Sequence, residues 1–279
     1  MDKPGKAAGY WEQRAKGWDL IGPPLRPSPE DIGIMEGMID AWQREAEVES
    51  PNVLILGVTP EIATMKWPPG TRVLAVEISL SMIRDVWPGS RVPYGTAVCA
   101  DWLTMPVEDG SFDAAVGDGS ISLLSYPQGL RQLSAELLRV LRPGGLFVVR
   151  IFSMPDQPEA PETVFEELWA GRIWNFNAFK WRLAMALHED PSRGVTFSHI
   201  WDVWNRAVPE PELLAQTLGW PREVIRTMDA YRQRETRYTF PRVAEVCEVL
   251  SPHFKMEACV YPDYADGRRY PTLLFRRTP

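Results

Sequence analysis

Between residues 52 and 152 short apolar runs alternate with amphipathic stretches. The runs 52–57, 72–77, 96–100, 111–117 and 146–152 are dominated by branched and small apolar residues. Such runs suit strands buried on both faces of a parallel sheet. The pieces between them carry helix signals. Thr59, Pro60 and Glu61 supply a capping hydroxyl, a proline for the first helical position and an acid for the positive end of the dipole. Ser79 or Ser81 opens a second helix that ends near Trp87 and Pro88. Residues 127–142 form the clearest one, with Leu130, Leu133, Leu137, Leu138 and Leu141 on one stripe and a stop at Pro143, Gly144 and Gly145. Alternating strands and helices joined by short turns predict an α/β fold with a doubly wound, mostly parallel sheet.

The flanks differ. Residues 1–50 read as an N-terminal helical lid, with Tyr10, Trp11, Arg14 and Trp18 at helical spacing and a proline-rich break after them. A second helix then opens on Ser28 as cap and Pro29 as first residue, and Ile32, Met35, Met38, Ile39 and Trp42 keep one face. After the core, 51–153, the rhythm becomes helical and aromatic over 154–238, which predicts a cap inserted into the α/β pattern. Residues 239–279 return to that pattern with a helix at 242–250, strands at 254–260 and 272–275, and a turn at Asp266 and Gly267. Two strands around such a turn make an antiparallel hairpin.

Composition narrows the function classes. The chain has 279 residues, a formal charge of −7 and 24% charged residues, so no general attraction to nucleic acid or anionic lipid is expected. No run approaches the length of a membrane span, and the first residues lack the apolar segment of a signal peptide. Cys99, Cys247 and Cys259 are far apart, which argues for a reduced, cytoplasmic setting and against a zinc or disulfide framework. Twelve tryptophans argue for aromatic-lined surfaces rather than disorder.

The sharpest chemistry lies at the ends of the first two apolar runs. The first ends at Gly57, where backbone can approach a ligand closely. The second ends twenty residues later at Glu77, the spacing at which an acid on a neighbouring strand tip reaches a ribose diol. A dinucleotide site needs further glycines, but Thr59 and Ile62 hold those places, and no P-loop lysine follows. A ligand with ribose and no phosphate fits better, and S-adenosylmethionine is the common one. A lone glycine–acid pair also occurs in αβ units that bind nothing.

With Gly57, Glu77, Asp101, Trp102, Asp118 and Gly119 at successive strand tips, and Leu141 to Gly145 reading Leu-Arg-Pro-Gly-Gly before the fifth strand, the chain resembles the class I S-adenosylmethionine-dependent methyltransferases over roughly 50–153. Phe112 and Asp113 opening strand four add to the likeness, and the final hairpin matches more weakly. The resemblance implies a seven-stranded Rossmann-like sheet and the following roles. Gly57, Val58 and Thr59 would line the methionine moiety, and Glu77 would accept both ribose hydroxyls. Ile78 and Met82 would pack on adenine or ribose, and Asp101 would accept from the adenine amino group with Trp102 beside the ring. Asp118, Gly119 and Ser120 would border the amino-acid end and the methyl group. Tyr10, Arg14 and Trp18 would belong to a lid over the cofactor. One departure stands out: the family's acid two positions before the first glycine is Ile55 here, which leaves Asp118 or Glu61 to meet the cofactor's ammonium.

Methyl transfer from a sulfonium is an in-line displacement that asks the protein for alignment and desolvation, with a base only if the acceptor arrives protonated. His253 and His188 read as structural. His199, within the insertion, and Asp118 are the catalytic candidates, although a surface or core role for His199 and a cofactor hydrogen bond for Asp118 are the plainer readings. No metal-ligand cluster appears. The expected activity is methyl transfer to a small-molecule acceptor, with no nucleic-acid or membrane partner; the alternatives are an aminopropyltransferase-like enzyme and a non-catalytic scaffold on the same fold.

Overall fold

The computed structural model describes residues 4–279, with side chains from residue 10 onward; Met1 to Lys3, the start of the expected lid and of the segment read for a signal peptide, lie outside the described residues. Seven strands form one sheet: β1 (Asn52–Leu56), β2 (Arg72–Glu77), β3 (Gly95–Cys99), β4 (Phe112–Asp118), β5 (Leu141–Arg150), β6 (Phe254–Val260) and β7 (Thr272–Arg277). Their order is β3-β2-β1-β4-β5-β7-β6, parallel from β3 through β5 and antiparallel from β5 onward. The order reverses between β1 and β4, so a crevice opens there beyond the carboxyl ends of the strands.

The runs of β1, β2, β4 and β5 became strands because their side chains are buried on both faces, whereas β3, at the edge of the sheet, departs from that expectation and is half-buried to exposed. On one face Leu54, Leu56 and Val76 pack with α5 (Gln128–Val140) and α11 (Val243–Leu250). On the other, Val53, Ile55, Val73 and Ala75 pack with α2 (Pro29–Ala46) and α4 (Leu80–Val86). Successive residues of one strand thus belong to opposite cores.

Ser28 caps α2 in a reciprocal box: its Oγ accepts from Asp31 N and its N–H donates to the Asp31 carboxylate at 2.7 Å. Ser79 caps α4. The α5 stripe holds with Leu130, Leu133 and Leu137 buried, while Leu138 is only half-buried. That helix ends at Val140, two residues short of the expected end at Arg142, because Leu141 already pairs with Phe112 in the sheet. A Cβ on Gly145 would lie 2.9 Å from Arg142 O and 3.0 Å from Asp113 O, so glycine is needed for the two strands to close.

The remaining helices build the roof. α1 (Pro4–Lys16) lies across α4. Between β5 and α11 the chain forms α6 (Pro161–Trp169), α7 (Phe176–Ala186), α8 (Phe197–Ala207), α9 (Pro211–Leu218) and α10 (Arg222–Arg226), tied by a two-residue ladder of Val195–Thr196 with Arg237–Tyr238. α7 is buried from Phe176 to Met185, and its residues join the cap's own core with Trp204, Phe197 and Tyr231. Trp11 and Trp18 pack against both the cap core and the core on the α2 side of the sheet, so α1 and the turn after it staple roof to sheet.

Candidate active site

Strand register brings the expected residues to one rim. Glu77 pairs with Cys99, and Leu56 with both Val76 and Gly117, so the residues just beyond lie side by side. Gly57 has φ +101°, open to glycine, and a Cβ there would touch the Trp102 ring at 3.7 Å and Glu77 Oε2 at 3.9 Å. Trp102 is fixed by its indole N–H, which donates to Val76 O at 2.6 Å, and Leu103 N–H donates to Asp101 Oδ1 at 2.9 Å.

Glu77 is the buried carboxylate of this rim. Its Oε1 accepts from Ser79 N–H at 2.8 Å. Burial raises its carboxyl to about 7, against the lowering effect of the Ser79 and Ile78 amides. An acceptor that is costly to charge when alone, and already aligned by two amides, is poised for hydroxyl donors. Ile78 beside it is 49% exposed, an apolar surface open at the rim. Met82 and Val58 differ from expectation: both side chains sit in the core on the α2 side of the sheet. Val58 therefore offers a ligand only its backbone. Thr59 precedes the four-residue α3 (Pro60–Ala63), but its hydroxyl makes no capping bond.

Asp118 ends β4 and is committed elsewhere. Arg150 Nε donates to its Oδ1 at 2.6 Å, and the same guanidinium meets Asp31 Oδ2 at 3.4 Å and Pro24 O at 3.0 Å. Tyr264 OH donates to Asp31 as well. Arg150 is fully buried and held charged by its two acids, while burial pushes Asp118 up against the pull of Arg150. Arg150 was not anticipated, although one cation closing the otherwise apolar run 146–149 was its signal. The Asp118–Arg150 pair sets the turn of Gly119, where φ is +61° and a Cβ would fall 2.5 Å from the Phe152 ring. Next to it, Ser120 is buried and its Oγ has no partner.

From Gly119 an aromatic wall runs into the cap. Phe152 packs on Trp181 with centroids 4.6 Å apart, and Trp181 on Tyr238 at 4.6 Å. The Tyr238 hydroxyl meets those of Tyr231 at 3.1 Å and of Tyr10, from α1, at 3.4 Å. Arg14 lies one turn after Tyr10 and interacts electrostatically with all three tyrosines. The Trp181 indole N–H and Asn177 Oδ1 are buried without partners. Of the other cap tryptophans, Trp204 is buried, whereas Trp169 and Trp174 are exposed.

Of the histidines, His188 adjoins this wall through Phe240, whose ring centroid lies 5.3 Å from that of His188 and 5.4 Å from that of Trp181. His199 is exposed on α8, where its backbone N–H is capped by Thr196, as the plainer surface reading has it. His188 is buried and its Nε2 accepts from Phe240 N–H at 3.2 Å, with burial lowering it to about 4. His253 hydrogen-bonds Ser134 Oγ. Two open hollows of the surface lie beside His253 and Arg131 and beside Phe165 and Trp169.

A family model described as a methyltransferase domain matches residues 56–149. A demethylmenaquinone methyltransferase of Beutenbergia cavernae is 30% identical over 204 residues, covering 68% of this chain and 73% of the relative. The chain belongs to the class I S-adenosylmethionine-dependent methyltransferases. A second relative, the demethylmenaquinone methyltransferase of Corynebacterium urealyticum, is 37% identical over 101 residues, which span 35% of this chain and 39% of that protein. Among solved structures, a Methanosarcina mazei protein described as an S-adenosylmethionine-dependent methyltransferase shares the fold, with a TM-score of 0.53 at 15% identity, covering 91% of this chain and 99% of that one.

S-adenosylmethionine is the cofactor of this methyltransferase, and the rim suits it on physical grounds. Glu77 offers a buried acceptor, Gly57 leaves its backbone bare beside Trp102, and the Ser120 hydroxyl just past the end of β4 is buried without a partner. Among the described residues, no helix is long and apolar enough to cross a membrane, and no cluster of three or more His, Cys, Asp or Glu is arranged to hold a metal.

Proposed function

We propose that this methyltransferase acts on a small organic acceptor held between the Gly119 turn and α7. The observation that carries the reading is the aromatic wall of Phe152, Trp181 and Tyr238 running from the strand tips into the cap, with buried hydrogen-bonding atoms left over along it. Pockets for small organic molecules are mostly apolar with a few placed polar groups. The relatives named for demethylmenaquinone support a small-molecule acceptor as a class.

In this reading Gly57, Thr59, Glu77, Ile78, Asp101, Trp102, Gly119 and Ser120 line the cofactor crevice. Residues 1–50 act as the lid, 51–153 with 239–279 as the α/β core, and 154–238 as the acceptor cap. The cofactor supplies an activated methyl group when bound. The chain's own contribution is alignment and exclusion of water: Glu77 holds the ribose hydroxyls, and the aromatic wall orients the acceptor. Asp118 is a positioning residue that holds the Gly119 turn through Arg150. The linked hydroxyls of Tyr10, Tyr231 and Tyr238 orient an acceptor oxygen or nitrogen, and no histidine acts as base. A cytoplasmic setting belongs to the same reading and rests on three free thiols.

The test is label transfer. The protein is incubated with methyl-tritiated S-adenosylmethionine and, separately, a small-metabolite extract, bulk RNA and bulk protein. Label in the low-mass organic fraction, lost in Trp181→Ala, is expected. Label confined to protein or RNA overturns the reading.

A further inference from the structure

We infer that Glu61 is the residue that holds the cofactor's ammonium group, through its Oε2 atom, in place of the acid absent at Ile55. The inference rests on the crevice being the cofactor site. Glu61 lies two residues beyond Thr59 in the short α3, just past the carboxyl end of β1, at the point where the strand order reverses. Its two oxygens have unequal lives. Oε1 is claimed by Arg26, whose Nε donates to it at 2.8 Å and whose Nη2 lies 2.5 Å away. Oε2 is buried and has no hydrogen-bond partner. A carboxylate oxygen without water or donor is costly to keep, and a ligand cation placed there removes the cost.

Three further facts favour this oxygen. Ile55 is fully buried in the core on the α2 side of the sheet, so nothing at the family's usual position can meet a cation. Asp118, the other acid at the switch point, is engaged by Arg150. Glu61 and Asp118 feel each other electrostatically, so the two carboxylates share one neighbourhood beyond the ends of β1 and β4. Arg26 in turn stacks on the Trp18 indole at 4.9 Å and donates to Trp18 O and Ile21 O. The turn after α1 thereby fixes the rotamer of Glu61 from above, so Arg26 is a positioning residue.

The experiment compares two ligands on two proteins by titration calorimetry: S-adenosylhomocysteine and its deamino analogue, which lacks only the amino group, each with wild type and Glu61→Gln. Wild type is expected to bind the deamino analogue at least tenfold more weakly than S-adenosylhomocysteine. Glu61→Gln is expected to lose about tenfold for S-adenosylhomocysteine and less than twofold for the analogue, because a neutral amide keeps the shape and loses the charge. Equal losses on both ligands, or none on either, overturn the assignment. Should the variant fail to fold, the wild-type comparison decides alone: a difference under twofold overturns it. Wild type that binds neither ligand refutes the cofactor crevice itself, a distinct outcome that takes this inference with it.

Discussion

In the proposed cofactor crevice the carboxyl of Glu77 should make cofactor affinity a function of pH. It is buried, accepts from the Ser79 amide, and is raised from 4.5 to about 7 chiefly by burial. Ribose hydroxyls bind the charged form as donors. A protein that must first lose this proton binds with an apparent affinity reduced by the ionised fraction. Affinity for S-adenosylhomocysteine should therefore be flat above about pH 8 and fall roughly tenfold for each unit below 7, at about 1.4 kcal/mol per unit. Glu77→Gln should erase the slope and, at pH 8, bind about 1.5–3 kcal/mol more weakly, the value of hydrogen bonds to a charged group. Stability moves the other way. Because the native carboxyl is raised, the folded state holds a proton that the unfolded chain has released between 4.5 and about 7. The Glu77 contribution to native stability should thus be largest at acid pH and decline across that window, by about 3 kcal/mol in all, read as the difference between wild type and Glu77→Gln. Calorimetric titrations at half-unit steps from pH 5.5 to 8.5, with thermal melts in the same buffers, read both effects. A flat wild-type affinity profile, or a slope that survives in Glu77→Gln, would show that the ribose contact is assigned to the wrong group.

Two further expectations concern stability. Arg150→Met leaves Asp31 and Asp118 buried without their cation. It should cost about 3–5 kcal/mol, partly recovered as pH falls and the acids protonate; calorimetric melting that shows no loss at pH 7 would remove the ion triad from the account. Burial lowers His188 to about 4, so at this site the native state binds fewer protons than the unfolded chain between 4 and 6.5, and the His188 contribution to stability should drain away as pH falls through that range, opposing that of Glu77. His188→Leu should flatten that acid limb while costing about 1–3 kcal/mol at pH 7 for the unpaired Phe240 amide; urea titrations at pH 4.5 and 7 would expose an error in either half.

Much of the fold was readable because burial on both faces leaves no alternation to misread. The cap of α2 at Ser28 and the strand tips at Gly57 and Glu77 were local signals, and local signals survive folding. The most recognisable strings turned out to hold the sheet together at its other end. Asp113 pairs with Arg142 at 2.5 Å and accepts from Asn52 N–H, and Gly145 permits strand closure there. What escaped was whatever depended on long-range pairing. Arg150 meets an acid 119 residues away, and Tyr10 meets Tyr238 across 228 residues. His199 misled because helical spacing says which residues share a face but not which face turns inward; Thr196 caps α8 so that Phe197, Ile200 and Trp204 are the buried ones. The wall of Phe152, Trp181 and Tyr238 comes from three separate segments, and no spacing rule joins them.

The double allegiance of Trp11 and Trp18 bears on turnover. If the amino-terminal segment closes over the nucleoside as proposed, it must peel from two surfaces at once to let the spent product go. The expected outcome is that departure, rather than bond-making, sets the pace of repeated cycles, so that the first catalytic event after mixing outruns those that follow.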